Sequence, residues 1–219
     1  MRVPEEKQRI AVIGVISLWC TALIAYRLHL AWDMLPIWLV WNLILAAVPM
    51  LFSAGFRAAN ARKRPFLANG SFCLWLLFLP NSPYILTDLI HLARRPDVPL
   101  WYDLAMLVFC AGTGVMFGYL SLMEIHNVVE GMFGKTTGWA VATASLMLSG
   151  FGVYLGRFLR WNSWNAITNP IKLFKGVIGV FSNPGTHPHP VPFTLIFGTG
   201  LIVGYLALRV VPMSMRTEP

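Results

Sequence analysis

The chain has 219 residues, 57% of them hydrophobic and only 12% charged, with a formal net charge of +8. A soluble domain carries about 25% charged and about 45–50% apolar residues. These figures, with a mean hydropathy of +0.63, exclude a disordered chain and a disulfide scaffold and argue against a water-soluble globule. They leave an integral membrane protein.

Six uncharged runs follow one another, at 10–26, 34–56, 65–87, 104–123, 136–156 and 191–208, the shortest of 17 residues. A helix needs about 20 apolar residues, at about 1.5 Å each, to cross a hydrocarbon core of about 30 Å. In lipid every backbone polar group must be satisfied within the segment, and runs this long and non-alternating mean helices rather than a barrel. The first run follows Arg2, Lys7 and Arg9, as the core of a signal peptide does. It exceeds the roughly 7–15 residues of such a core, and Trp19 rather than a small residue precedes Cys20. It reads as an uncleaved first span.

The third run is interrupted by Pro80 and Pro83. Each ring removes a donor and clashes with the carbonyl four residues back, at Leu76 and Leu79, so the segment is expected not to be continuous helix. The 14 or so regular residues before the break make only about 21 Å of helix, which opens a rival in which 65–87 dips in and returns. The longest connection, 157–190, holds the breakers Asn169-Pro170 and Asn183-Pro184. Between them, 171–182 sets Lys172 and Lys175 beside Leu173, Phe174 and Ile178, the pattern of a short interfacial helix. The sequence therefore predicts an all-α, polytopic transmembrane bundle of about six spans (10–30, 34–56, 65–87, 104–127, 136–158 and 191–209) plus one short interfacial helix. The whole of 1–219 forms a single integral membrane domain. Gly114/Gly118, Gly152/Gly156 and Gly200/Gly204 have the spacing that lets helix backbones approach closely in lipid, and packing within one chain is the expected use. Trp32, Trp38, Trp101, Trp139, Trp161 and Trp164 lie near run ends, as interfacial anchors do.

The basic residues sit at the ends of the runs, where they orient helices and meet anionic headgroups. That placement argues for membrane lipid as a partner and against nucleic acid. Cys20, Cys73 and Cys110 fall inside apolar runs with no ligand spacing and read as inert thiols. Six crossings with the N-terminus inside put 10 Lys/Arg inside and 7 outside, counting Arg27 as an outer-loop residue; a fold-back of the third run gives 13 and 4. The length of that run favours crossing, which is the expectation adopted. The membrane expected is a bacterial inner membrane.

Two motifs carry candidate chemistry. Around the break stand Asn81, Tyr84, Asp88 and His91; a carboxylate and an imidazole three apart share a helical face and suit acid–base work or metal ligation. The plainer alternative is an Asp capping a new helix beside a solvated His. At the end of the fifth run stand Arg157, Arg160 and Asn162, with the two arginines again three apart and able to grip a phosphate or carboxylate. The alternative here is a basic interfacial collar. Runs four and five form a hairpin, so Asp88, His91 and Asp103 fall on the membrane side of Arg157 and Arg160, and Glu124, His126 and Asn127 on the other. A metal site from His91, His187, His189 and an Asp matches no ligand spacing, so no metal is assigned. No Walker loop, G-x-S-x-G or H-E-x-x-H occurs, and the cofactor and oligomeric state stay open. The absence of charge from the middle of every run weakens a proton-relay pump.

Leu79-Pro80-Asn81-x-Pro83-Tyr84-x-x-Thr87-Asp88-x-x-His91-Leu92 and 156–164, Gly-Arg-Phe-Leu-Arg-Trp-Asn-Ser-Trp, resemble the two signatures of a bacterial membrane family, domain of unknown function 1361. The resemblance covers roughly runs two to six. It implies a multi-pass inner-membrane protein and supplies no activity. Its pattern has an Asp where this chain has Asn165, which removes a carboxylate there. The leading functional expectation is an enzyme acting on a lipid or lipid-linked headgroup, with His91 as general acid or base, Asp88 orienting it and the arginines as anion clamp. A small-solute transporter or channel and a non-catalytic scaffold or assembly factor are the alternatives.

Overall fold

The computed structural model describes residues 3–31, 34–93, 97–182 and 189–214. Arg2, Trp32, Asn183, Pro184 and His187, used in the sequence reading, lie outside them. The described chain is helical: α1 Val3–Leu30, α2 Met34–Ala61, α3 Pro65–Phe78, α4 Asn81–Tyr84, a 3-10 segment Ile85–His91, α5 Leu100–Phe133, α6 Lys135–Phe158, α7 Asn165–Thr168, α8 Pro170–Ser182 and α9 Pro190–Ser214. Six stretches are long and apolar enough to cross a membrane, with 65–91 counting as one. The expected short helix after the fifth span forms as α8, and its Ile171, Phe174 and Ile178 are exposed along one side.

The central helix is α5, whose 34 residues bury one side from Tyr102 to Val129. One apolar core joins its first half to α1, the start of α2 and the 3-10 segment, through Ile24, Leu39, Ile85, Met106 and Leu107. A second core joins its later half to α3, α6 and α9, through Trp75, Leu79, Leu122, Ile125, Leu146 and Tyr205. Gly134 closes the α5–α6 hairpin with φ 90°, a left-handed value that any side chain would strain.

The third element crosses. Against α2 it pairs Phe72 with Phe56 (ring centroids 5.7 Å) and Phe78 with Phe52 (5.6 Å). Farther along, Ser82 Oγ donates to the Ala46 carbonyl at 2.8 Å, and Asn42 Nδ2 donates to Asp88 Oδ2 at 2.8 Å. Each step forward in one chain is a step back in the other, so 65–91 runs antiparallel beside α2 to its far end. A dip-and-return would have reversed that order after Phe78, and the rival topology is thereby discarded.

The prolines break the hydrogen-bond ladder but do not unwind the chain. Leu79 N–H still reaches the Trp75 carbonyl four residues back, whereas Ser82 N–H reaches Leu79, three back. Leu79, Pro80 and Ile85 keep right-handed helical dihedrals. The 3-10 form rises about 2.0 Å per residue against about 1.5 Å for α. The seven residues Ile85–His91 therefore add about 14 Å to the roughly 21 Å of α3, which is how a broken segment reaches across.

The ends of the bundle are polar, and each has its own cluster. At one end lie Asp88, His91, Asp103, Arg157 and Arg27. At the other, Arg57 and Ser53 hold Glu124 (3.0 and 2.7 Å), and Arg209 holds Glu130 and Asn127 (2.7 and 3.0 Å). The expected division of Asp88 and His91 from Glu124, His126 and Asn127 is the one observed. Arg27 departs from its expected place in an outer loop. It belongs to α1, is fully buried, and binds Asp103.

Candidate functional site

Arg157 lies in the last turn of α6, where a cation faces the negative end of the helix. Its Nη1 donates to Asp88 Oδ1 at 3.3 Å and its Nη2 to His91 Nε2 at 2.9 Å. Arginine only donates, so the imidazole accepts at Nε2. The carboxylate of Asp88 is held on its other oxygen by Asn42. In the 3-10 segment residues three apart eclipse, and this stacks Asp88 and His91 over the same guanidinium. The expected neighbourhood of Asp88 and Arg157 is realised. Among the described residues Asp88 meets His91 through Arg157 rather than directly, so the group that orients the imidazole is Arg157 and the carboxylate orients Arg157. A guanidinium has five N–H donors; two are engaged here, leaving three without a partner among the described residues.

The segment after α6 folds back over this cluster. Trp161 N–H returns to the Leu155 carbonyl at 3.2 Å, and Asn81 Nδ2 donates to Ser163 Oγ at 2.9 Å, tying that segment to the break in the third element. Asn165 Oδ1 accepts the Asn162 backbone N–H at 2.8 Å. The position uses an oxygen acceptor, which Asp and Asn both supply.

These residues enclose a cavity of about 820 Å³. Asn42, Asn81, Tyr84, Asp88, His91, Arg157, Asn162 and Ser163 line its polar end, and Leu45, Leu76, Leu77, Leu148 and Phe151 its apolar end. Trp38 and Trp41 of α2, Trp161 and Trp164 of the returning segment, Ala166 of α7 and Leu173 of α8 complete the wall. Trp41 and Trp164 meet edge to face across it at 6.5 Å. Leu148 and Arg157 are nine residues apart on α6, so the cavity extends about 14 Å down the bundle. Trp38, Trp41 and Leu148 are lining residues that are also half exposed. The cavity is therefore open sideways, toward the surface that would face lipid.

Of the seven candidate residues, Asn81, Tyr84, Asp88, His91, Arg157 and Asn162 line this cavity and Arg160 does not. The shared face expected for Arg157 and Arg160 needs helix through 160, but α6 ends at Phe158 and Arg160 has φ 57° and an exposed side chain. The pair of guanidiniums is thus a single one. Asn42 was missed, although it is the lone amide in an otherwise apolar run, and an intramembrane polar residue is a functional signal by default. Trp41 and Ser163 were missed as well; nothing local marks Trp41, while Ser163 stands within the 156–164 motif without having been given a role. Among the described residues no three His, Cys, Asp or Glu side chains gather to hold a metal ion.

The family described as Protein of unknown function (DUF1361) matches residues 41–203, more than half of the chain. The chain belongs to that family. No curated protein and no solved structure matches it.

Proposed function

We propose that this member of the DUF1361 family receives the headgroup and first stretch of chain of a membrane lipid or lipid-linked molecule, and that Asp88, His91 and Arg157 act on that headgroup. The observation that supports the reading is one sideways-open cavity, charged at the membrane end and apolar below. Ligand sites are apolar enclosures of about 300–1,000 Å³ with a few convergent polar groups, and this one fits an amphiphile lying along the bundle. In the enzyme version of the reading, His91, whose Nε2 accepts from Arg157, presents Nδ1–H to the headgroup as a hydrogen-bond donor; Nδ1 has no partner among the described residues. The unused N–H groups of Arg157 meet developing negative charge. The geometry favours this over a transport path through the broken segment, because Ser82, Pro83 and Ile85 are buried against neighbouring helices. Leu148→Trp fills the apolar end from a half-exposed position. Native mass spectrometry of the purified protein is expected to show lipid retained by the parent and several-fold less by L148W; equal retention refutes the reading.

The same reading places the site on the outer face of a bacterial inner membrane. Lys7, Arg9, Arg57, Arg62, Lys63 and Arg64 gather at the opposite end of the bundle, as the positive-inside rule asks of a cytoplasmic face. Thr168 is exposed on α7, beside the cavity mouth. With Cys20, Cys73 and Cys110 replaced, a Thr168→Cys protein is expected to react with an impermeant maleimide on intact cells. Labelling only after lysis places the site in the cytoplasm instead.

A further inference from the structure

We infer that the headgroup this cavity takes is electrically neutral and rich in hydroxyls, a sugar carried on a lipid chain, rather than a phosphate. The inference rests on the lipid-headgroup reading above and narrows its ligand. The first ground is charge. Among the described residues the charged side chains lining the cavity are Asp88 and Arg157, and they already form an ion pair with each other. Arg160, the second cation of the motif, lies outside the lining. An anionic headgroup would have to compete with Asp88 for a guanidinium, with no other Lys or Arg among the described residues lining the cavity to balance its charge. Sites that bind phosphate do so with cations free to close on it.

The second ground is the balance of donors and acceptors. Both amide N–H groups of Asn81 are occupied, by Phe78 O and Ser163 Oγ, and one of the two on Asn42 is taken by Asp88. Asn81 leaves its carbonyl oxygen, and Asn42 its carbonyl oxygen and one N–H, without a partner among the described residues. The Asn162 side chain and the Tyr84 hydroxyl are likewise unpartnered. Amide oxygens need donors from the ligand, and an ionised phosphate has none. The three remaining N–H groups of Arg157 need acceptors. A hydroxyl is both donor and acceptor, so a polyhydroxyl ring satisfies the two demands together. The third ground is the wall. Trp41 and Trp164 bring aromatic surface to the polar end, where the apolar C–H face of a sugar ring can lie against it.

The test uses the full chain, purified in an amine-oxide detergent and placed in phosphatidylcholine nanodiscs. The discs contain equal fractions of monoglucosyl diacylglycerol, phosphatidic acid and phosphatidylethanolamine, and retained lipid is measured by native mass spectrometry. The glucosyl lipid is expected to be retained at least tenfold over the other two. Asn162→Leu, on an exposed segment, and Tyr84→Phe, which keeps the ring, are each expected to cut that preference several-fold, and Arg160→Gln to leave it unchanged. Equal or greater retention of phosphatidic acid or phosphatidylethanolamine overturns the sugar assignment while leaving the lipid-headgroup reading standing. Retention of every lipid at the level of L148W overturns both.

Discussion

Replacing Arg27 with Met is expected to leave little folded protein. The Arg27 and Asp103 side chains are 0% and 2% exposed, with Nε and Oδ1 2.6 Å apart. Nη1 of Arg27 also donates to the Ala31 carbonyl at 3.0 Å. This pair, with Tyr102 Oη donating to the Leu23 carbonyl at 2.7 Å, fixes the end of α1 against the start of α5. Removing one member of a buried pair strands the other charge and costs about 3–5 kcal/mol, against a total stability of about 5–15 kcal/mol for a typical domain. Removing both costs much less, because apolar side chains of similar volume leave no unpaired charge. The double variant R27M/D103L is therefore expected to recover much of the folded yield that R27M loses. Size-exclusion profiles and denaturant titration in detergent measure both. Parent-like stability of R27M, or no recovery in the double variant, contradicts the account.

Arg27 also shows where sequence reading stops. A charge just past an uncharged run reads as a loop residue, since a lone arginine in lipid is costly. What makes it affordable is Asp103, 76 positions away, and no local pattern announces a partner at that distance. The spans themselves were legible because the demand that lipid makes on the backbone is local and continuous: long apolar runs must be helices. Each of the six expected spans falls on one of the six stretches long and apolar enough to cross a membrane, and α8 appears where its flanking breakers put it. The meeting of Asp88 with Arg157 was legible for a topological reason, since the α5–α6 hairpin returns the chain to the side it left. Arg160 was misplaced because spacing of three means a shared face only while the helix lasts, and α6 ends two residues earlier. The direct Asp88–His91 partnership failed for a related reason. In a 3-10 segment the two side chains stack over a third group, and Arg157 from another helix took that position. Whether the third run crossed turned on a rise per residue, and the 3-10 geometry of Ile85–His91 that lengthens the segment has no proline within it to announce it, while the effect of Pro80 and Pro83 on hydrogen bonding was legible.

Two small-residue stripes grip the broken segment from opposite sides, and this sets up a matched pair of substitutions with opposite expected signs. On α5, a Cβ at Gly114 would lie 2.5 Å from the Ser82 carbonyl oxygen, and one at Gly118 2.9 Å from Ser82 Cβ. On α6, a Cβ at Gly152 would run into the Pro80 ring, and one at Gly156 would lie 3.0 Å from Tyr84 Cε2. The segment cannot retreat from α6, because Ser82 is already against α5 and bonded to α2 through the Ala46 carbonyl. Gly152→Ala is therefore expected to destabilise by about 1–3 kcal/mol, the usual cost of overpacking. It should also disturb the site, since Asn81 follows Pro80 and holds Ser163. Gly112 sits mid-helix in α5 with nothing within 4 Å of its would-be Cβ, so Gly112→Ala is expected to be neutral or to stabilise by up to about 1 kcal/mol through helix propensity alone. Denaturant titration in one detergent compares the two directly. Equal stabilities would mean that α6 slides outward at no cost, and the stripe would then be incidental to how the break is held. A clear loss in G152A alone identifies the close contact of α6 with the Pro80 ring as part of what holds the break in place.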